Sequence, residues 1–455
     1  VINQWINKQW MRGVSIAPLV AFRIVFGALV LFSTARFMWN GWVYELYIKP
    51  VFHFTYLGFD WVKPLEGNWM YLPFTLMLIA AFGIMTGAFY RFSATIFFLC
   101  FTYVELLDKS NYLNHYYFVS LMSFLLIWMP AHRDFSIDAR LNPSIRSKTI
   151  TNWPIFLLQF QLGVVYFFAG VAKLHPDWLF EAQPLKLWLQ AHRDLPVVGD
   201  LLASSWVAFA FSWFGCIYDL TIPFFLSSNR TRNFAYLFVV GFHLITWLLF
   251  PIGVFPWVMI CSTLIFFPHT FHERLLTPLK NLFRWKEGVS IKPADSPRKW
   301  TLTLVAIYCF VQIALPFRYA IYPGNLFWTE EGFRFSWRVM LMEKKGYATF
   351  YVQDRRTGNR IEIDNYRYLS IQQIDQMSRQ PDMILQFAHF IAEKYADTTL
   401  HFGTNSVHLR NPAVVVNVFV TLNGRTNQLF IRDTVDLSTK SYDLKHRTWL
   451  EPYRD

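Results

Sequence analysis

Charge is what this chain has least of. Asp, Glu, Lys and Arg make up only 16% of its 455 residues, while hydrophobic residues reach 54% and aromatic residues 19%. A soluble domain carries roughly 25% charged residues, so the composition excludes an ordinary soluble enzyme and indicates a polytopic membrane protein. Cysteine is scarce as well. Cys100, Cys216, Cys261 and Cys309 each sit in an apolar run, and none forms a CxxC pair. This argues against a thiol–disulfide mechanism, leaves structural zinc without a ligand set, and makes buried free thiols the expectation. No short apolar segment ends in a small-residue cleavage pattern, so no removable signal peptide is expected. Internal repeats and low-complexity tracts are not visible. Acidic residues are outnumbered by basic ones, 30 to 42, for a formal charge of +12. In a membrane protein that excess belongs to cytoplasmic loops rather than to nucleic-acid binding.

Apolar windows of membrane-spanning length predict roughly nine segments, near 15–38, 70–89, 92–108, 115–130, 154–173, 203–226, 233–250, 252–268 and 299–317, the eighth a candidate re-entrant segment. If the N-terminus is cytoplasmic, the inside loops carry Arg91, Arg133, Arg140, Arg146, Lys148, Arg230, Arg232, Arg274, Lys280, Arg284, Lys286, Lys292, Arg298 and Lys299. The outside loops hold only Lys49, Lys63, Lys109, Lys186 and Arg193, mixed with acids. The asymmetry obeys the positive-inside rule, and an odd number of spans places the C-terminus outside. The sequon at Asn229 then faces the cytoplasm and is silent. Gly83 and Gly87 form a GxxxG pattern, read as helix packing.

From about Gly346 the chain changes character. "YATFYVQDRRTGNRIEID" alternates and turns at Thr357-Gly358, "IQQIDQMSRQPDMILQFAHFIAEKYA" has helical spacing, and "AVVVNVFVTLNGRTNQLFI" reads as two strands around Asn423-Gly424. The expected organisation is a helical membrane domain over 1–320, a connecting segment over 321–345 that lines the site, and an extracytoplasmic α+β domain over 346–455.

Ionisable groups at membrane depth are costly and usually face a cavity. Lys173 ends the fifth span in "VVYFFAGVAKLHPDW", His115 opens the fourth in "NYLNHYY", and His243 lies in the outer half of the seventh in "GFHLITW". All three fall at the outer level. Each also has an ordinary explanation: a lysine snorkelling to headgroups, an interfacial histidine, and a core histidine satisfied by a carbonyl. Arg23 in the first span is expected to pair with a carbonyl or acid inside the bundle. Asp219 in the sixth is a candidate buried partner for a cation.

At these residues the sequence resembles the vitamin K-dependent gamma-carboxylase family and its bacterial relatives. "FFAGVAKLHPDW" places Lys173 at the family's essential lysine, and "NYLNHYY" places Asn114 and His115 in an asparagine–histidine segment. "FHLITWLLFPIGVFPWVM" and "LPFRYAIYPGNLFWTEEGFRFSWRVML" resemble two further blocks. The resemblance implies an enzyme that couples oxygenation of reduced vitamin K (menaquinol or phylloquinol) by O2 to addition of CO2 at the γ-carbon of a protein glutamate. The γ-hydrogen is far too weakly acidic for a side-chain base near its ordinary pKa, so the cofactor supplies the strong base. By resemblance the catalytic residues are Lys173, His115 and His243. Lys173 is expected as a neutral amine that deprotonates the hydroquinone, a role arginine could not take. Asn114, Phe242, Phe335 and Trp337 are expected to bind the cofactor, with no metal. Arg334 is a candidate tie between the external segment and the bundle. Ala172 departs from the animal enzymes, which have a second lysine there, and the chain is much shorter than theirs. The expected partners are membrane lipid and a glutamate-containing protein, and the expected location is a bacterial inner membrane.

Four alternatives remain at this stage. One is quinone epoxidation without a glutamate substrate. Another is a quinol oxidoreductase with haem held by His115 and His243. The third is a transporter, which should show repeated halves or broken helices. The last is a membrane scaffold, in which Lys173 should tolerate methionine.

Overall fold

The computed structural model describes residues 10–285, 299–402 and 405–454. Lys286, Lys292 and Arg298, counted above among the inside basic residues, lie outside the described residues.

Nine apolar helices occupy the nine expected stretches: α1 Ala17–Trp39, α2 Tyr71–Thr86, α3 Tyr90–Leu107, α4 Asn114–Trp128, α5 Trp153–Ala172, α6 Ser205–Ser227, α7 Arg232–Leu249, α8 Phe255–Thr263 and, after the surface helix α9 (His269–Leu282), α10 Lys299–Ala314. With their flanking turns, seven are long and apolar enough to cross a membrane. The expected count of nine therefore needs qualification at α4 and α8. Helix α4 has 15 residues, and the apolar run through α8 spans only Phe255–Phe266. At 1.5 Å per residue even the 15 of α4 cover about 22 Å, short of a hydrocarbon core of about 30 Å. Both nevertheless return the chain to the end where it began. The start of α1 is tied to the start of α5 by β1 (Gly13–Ser15) pairing antiparallel with β2 (Thr149–Thr151). The start of α9 is tied there by Ser15 Oγ donating to Glu273 Oε1 at 3.1 Å.

The few polar groups inside the bundle are satisfied locally. Arg23 is fully buried and donates to Ile84 O, Met85 O and Phe135 O at 3.2, 3.1 and 2.6 Å. The first two belong to the last turn of α2, where a cation complements the helix dipole. Gly87 ends that helix with φ +67°, and a Cβ there would meet Arg23 Nη1 at 2.2 Å. The glycine pattern thus serves packing, as expected. The cysteines need a correction. All four are free, but only Cys216 is buried, and Cys100, Cys261 and Cys309 are half-buried.

The C-terminal region is an α+β unit. Strands β3 (Lys344–Gln353), β4 (Arg360–Ile363), β7 (Ala413–Leu422) and β8 (Gln428–Ile431) form an antiparallel sheet of order β4-β3-β7-β8. Val414, Val416, Val418 and Val420 of β7 are fully buried, as period-two alternation requires. The β7–β8 turn has positive φ at both Asn423 and Gly424, the conformation an Asn-Gly hairpin selects. The expected single helical stretch is two helices, α11 (Ile371–Met377) and α12 (Pro381–Lys394). Pro381 takes the first turn of α12, where its missing N–H costs nothing. The separate hairpin β5 (Asp397–Phe402) with β6 (Asn405–Arg410) is not anticipated by the sequence reading. The chain is a polytopic helical membrane protein with an extracytoplasmic C-terminal α+β domain.

Candidate functional site

Lys173 is the C-cap of α5. Three residues earlier Gly170 lets α6 come close, because a Cβ there would lie 2.7 Å from Leu220 N. The close approach brings Asp219 to the lysine. Lys173 Nζ donates to Asp219 Oδ2 at 2.7 Å and to Ala169 O at 3.2 Å, and the Trp178 ring covers it at 5.3 Å. Both side chains are buried, Lys173 at 6% and Asp219 at 5% exposure. A lone charge at that burial would cost several kcal/mol. The ammonium–carboxylate and amine–carboxylic acid forms of the pair differ only in the position of one proton.

The amine opens on a cavity of about 90 Å³, lined also by His243, Tyr166 and the rings of Trp188, Phe211, Phe242, Phe250 and Phe255. His243 Nε2 is hydrogen-bonded to the Tyr166 hydroxyl at 3.0 Å, and its Nδ1 is buried with no hydrogen-bond partner. Phe242 stacks on Tyr218 with centroids 4.4 Å apart. An amine, an imidazole with an orphaned nitrogen and flat aromatic walls suit the hydroxyls and ring of a quinol. The volume does not: cavities that take up benzene measure about 150 Å³, so a bicyclic ring requires a wall to move.

A second cavity, of about 870 Å³, lies next to the first and shares the wall residues Ile252, Phe255, Val339 and Met340. His115 and Asn114 line this larger space. His115 therefore does not share a chamber with Lys173 and His243. Both imidazoles instead pack on Phe255, His115 at a centroid distance of 5.6 Å and His243 at 5.8 Å. A phenyl ring against both histidines is incompatible with a haem ligated by the two. Among the described residues the His115 side chain makes no hydrogen bond, and the residue lines the larger cavity. Asn114 is already engaged: its Oδ1 accepts from Tyr112 Oη at 3.1 Å, and its Nδ2 donates to Arg338 O at 2.8 Å.

Phe335 and Trp337 line neither of these cavities. Phe335 packs on Tyr56, Tyr112 and Tyr117, and Trp337 stacks on Tyr117 at 4.9 Å. The residues of this segment that do reach the shared wall are Val339 and Met340. Phe335, Trp337 and Met340 all have positive φ, a strained conformation for bulky residues that tends to gather at functional sites.

Several residues that position the site, Arg334 excepted, are given no role from the sequence alone. Asp177, four residues after Lys173, accepts from Arg425 Nη1 and Nη2 at 2.8 and 2.9 Å and from Asn423 Nδ2 at 2.6 Å. The β7–β8 turn is thereby clamped beside the lysine. Burial would raise the Asp177 carboxyl, but the Arg425 and Asn423 hydrogen bonds outweigh it and hold the pKa below the usual range. Trp178 Nε1 donates to Ser212 O at 2.8 Å, fixing the ring over the amine. A second clamp joins Asp382 of α12 to Arg334 and Lys109, at 2.8 and 2.9 Å. Arg334 therefore ties the connecting segment to the external domain, and Lys109 ties the bundle to the same carboxylate. Burial disfavours the ionised Asp382, yet Arg334, Lys109 and Arg447 hold its pKa well below the usual carboxylate range.

Residues 11–271 match the family model of the HTTM domain, and residues 297–455 match that of the vitamin K-dependent gamma-carboxylase, lumenal domain. No solved structure matches the chain.

Proposed function

We propose, on the premise that this chain belongs to the vitamin K-dependent gamma-carboxylase family, that it is a glutamyl carboxylase coupled to oxygenation of a reduced naphthoquinone. The observation that carries this reading is the buried amine of Lys173, hydrogen-bonded to Asp219 and sharing an aromatic cavity with His243. When bound, the reduced quinone supplies, through its oxidation by O2, the strong base that the glutamate γ-carbon requires.

The chain's own groups have separable tasks. Lys173 Nζ accepts the quinol hydroxyl proton. That is open to it only as an amine, a form the pair reaches when Asp219 holds the shared proton. Tyr166 fixes the His243 ring, which then offers a nitrogen to a quinone oxygen. Phe242, Trp178 and Trp188 supply flat apolar contact and exclude water. His115 acts in the larger chamber, near the carbon that gains CO2. Asn114 holds Tyr112 and the backbone at Arg338, and so acts by positioning. Phe335 and Trp337 support, through Tyr117, the segment that carries Val339 and Met340. The size of the smaller cavity supports an opening at that segment when the ring binds, since the unbranched Met340 adapts readily.

The division into 1–320, 321–345 and 346–455 assigns the quinone to the bundle, the shared wall to the connecting segment, and the peptide side to the external domain. The basic asymmetry of the loops supports a cytoplasmic N-terminus, and the location proposed is a bacterial inner membrane. The test is incubation of the purified full chain with reduced menaquinone or phylloquinone, labelled bicarbonate and a glutamate peptide, with epoxide and incorporated label scored separately. Both products are expected. Epoxide without label would favour an epoxidase acting on no glutamate, and neither product would overturn the proposal.

A further inference from the structure

The larger cavity is rich in cations, and most of them are already neutralised. Lys109 and Arg334 pair with Asp382, Lys344 pairs with Glu330 at 2.9 Å, and Arg379 pairs with Asp375 at 3.1 Å. Arg338 is different. It lines the cavity together with His115 and Asn114, it is only 7% exposed, and it forms no ion pair with any described residue. Its guanidinium lies over the Tyr319 ring at 4.3 Å, and its Nε is buried without a hydrogen-bond partner. Its carbonyl is held by Asn114 Nδ2 at 2.8 Å, which fixes the backbone one residue from the shared wall.

A buried guanidinium without a carboxylate is unfavourable unless an anion arrives from outside. Arginine offers a planar fork of donors that matches a carboxylate bidentately. We infer that Arg338 is the carboxylate-binding residue of the larger cavity and that it takes the side-chain carboxylate of a glutamyl residue in a peptide. The inference rests on the proposed glutamate substrate and names where that substrate is held. Placed there, the carboxylate lies in the chamber that His115 lines. Its charge is matched by the guanidinium, so loss of the adjacent C–H proton to the base adds negative charge beside a cation rather than beside a bare anion. Arg36 lines the same cavity but stacks on Trp42 at 4.9 Å and is only half-buried, so it has less need of an anion.

The experiment uses the full chain in lipid nanodiscs and two short apolar peptides, one with a central glutamate and one with glutamine in its place. Binding is measured directly, without turnover. The wild type is expected to prefer the glutamate peptide by about 10- to 100-fold, the range of one charge-assisted hydrogen-bonded pair. Arg338→Gln should abolish that preference, and Arg338→Lys should restore part of it, with thermal unfolding confirming that each variant is folded. A measurement on the wild type needs no variant: the glutamate peptide, and not the glutamine peptide, should shield Arg338 from an arginine-directed dicarbonyl reagent, read by mass spectrometry. A folded Arg338→Gln protein that keeps the preference, or an Arg338 modified equally fast with either peptide, overturns the inference. Labelled CO2 incorporation by the wild type reports separately on the carboxylase reading. Glutamate-selective binding without incorporation would leave the site standing and remove the reaction.

Discussion

Lys173 Nζ stands 2.7 Å from Asp219 Oδ2, across the contact of α5 with α6 and beneath the Trp178 ring. From the sequence Lys173 is expected as a neutral amine, and Asp219 as a buried partner for a cation that is left unassigned. A neutralised pair meets the same electrostatic need differently, because the charge is cancelled within the pair.

Structural and chemical roles of this pair separate in a double-mutant comparison. Lys173→Met leaves Asp219 buried without its cation, and Asp219→Leu leaves the ammonium without its anion. Each is expected to cost about 3–5 kcal/mol of stability. The double variant Lys173→Met/Asp219→Leu removes both charges and should recover most of that loss, while quinol epoxidation and carboxylation stay absent. Thermal unfolding and epoxide assays on the three proteins decide it. If the double variant recovers activity with stability, the pair is a structural element and Lys173 does not take the quinol proton.

The Asp177 clamp predicts that the external domain is held where the site is built. Arg425→Ala should leave Asp177 buried with only the Asn423 hydrogen bond and without the guanidinium, loosening the β7–β8 turn, with faster hydrogen exchange there and weaker carboxylation. Asp177 and Asp382 both have depressed pKa values in the fold. Their contribution is therefore present above the unfolded carboxylate pKa of about 3.9 and lost as pH falls through the lower folded values. Docking read by limited proteolysis should stay constant from neutral pH down to about 5 and fail only in stronger acid. A loss of docking near pH 6 would assign it to other groups.

How far the sequence discloses this arrangement varies by residue. The helical stretches, the β3–β4 and β7–β8 hairpins and the outer level of Lys173, His115 and His243 follow from hydropathy, turn residues and motif resemblance. Asp219 is 46 positions from Lys173, and their meeting depends on a helix approach that Gly170 permits, which no local pattern encodes. The separation of His115 from His243 by the Phe255 wall is tertiary too. Phe335 and Trp337 attract attention as aromatic rings, but rings pack on tyrosines as well as on cofactors, and here they do the former. The strands β5 and β6 mix threonine, histidine and asparagine, so they lack the apolar alternation that marks the other strands.

Gly170 offers a test of positioning at a distance from the chemistry. A methyl group at this position would lie 2.7 Å from the Leu220 backbone nitrogen, so Gly170→Ala must push α6 away from α5. The 2.7 Å Lys173–Asp219 contact should lengthen. Overpacking of this kind costs about 1–3 kcal/mol, and the epoxidation rate should fall. Gly163→Ala on the same helix is the control, since its Cβ would meet only Pro223 Cβ, at 3.8 Å. Equal losses for the two variants would show that helix approach at Gly170 is not what sets the amine.

Phe255 stands at the wall the two chambers share and contacts both imidazoles. If the strong base is made on the Lys173 side and used on the His115 side, this wall controls how often it meets a glutamate before water quenches it. Phe255→Ala opens the wall and Phe255→Leu thins it while preserving more packing. Each should lower the ratio of incorporated label to epoxide, by about tenfold for the alanine variant if about 1.4 kcal/mol of discrimination is lost. Epoxide formation should suffer less, because Lys173, Asp219 and Tyr166 do not depend on the phenyl ring for their hydrogen bonds. A ratio unchanged in both variants would mean that the reaction does not cross this wall, and that the histidines serve a single chamber reached by another route.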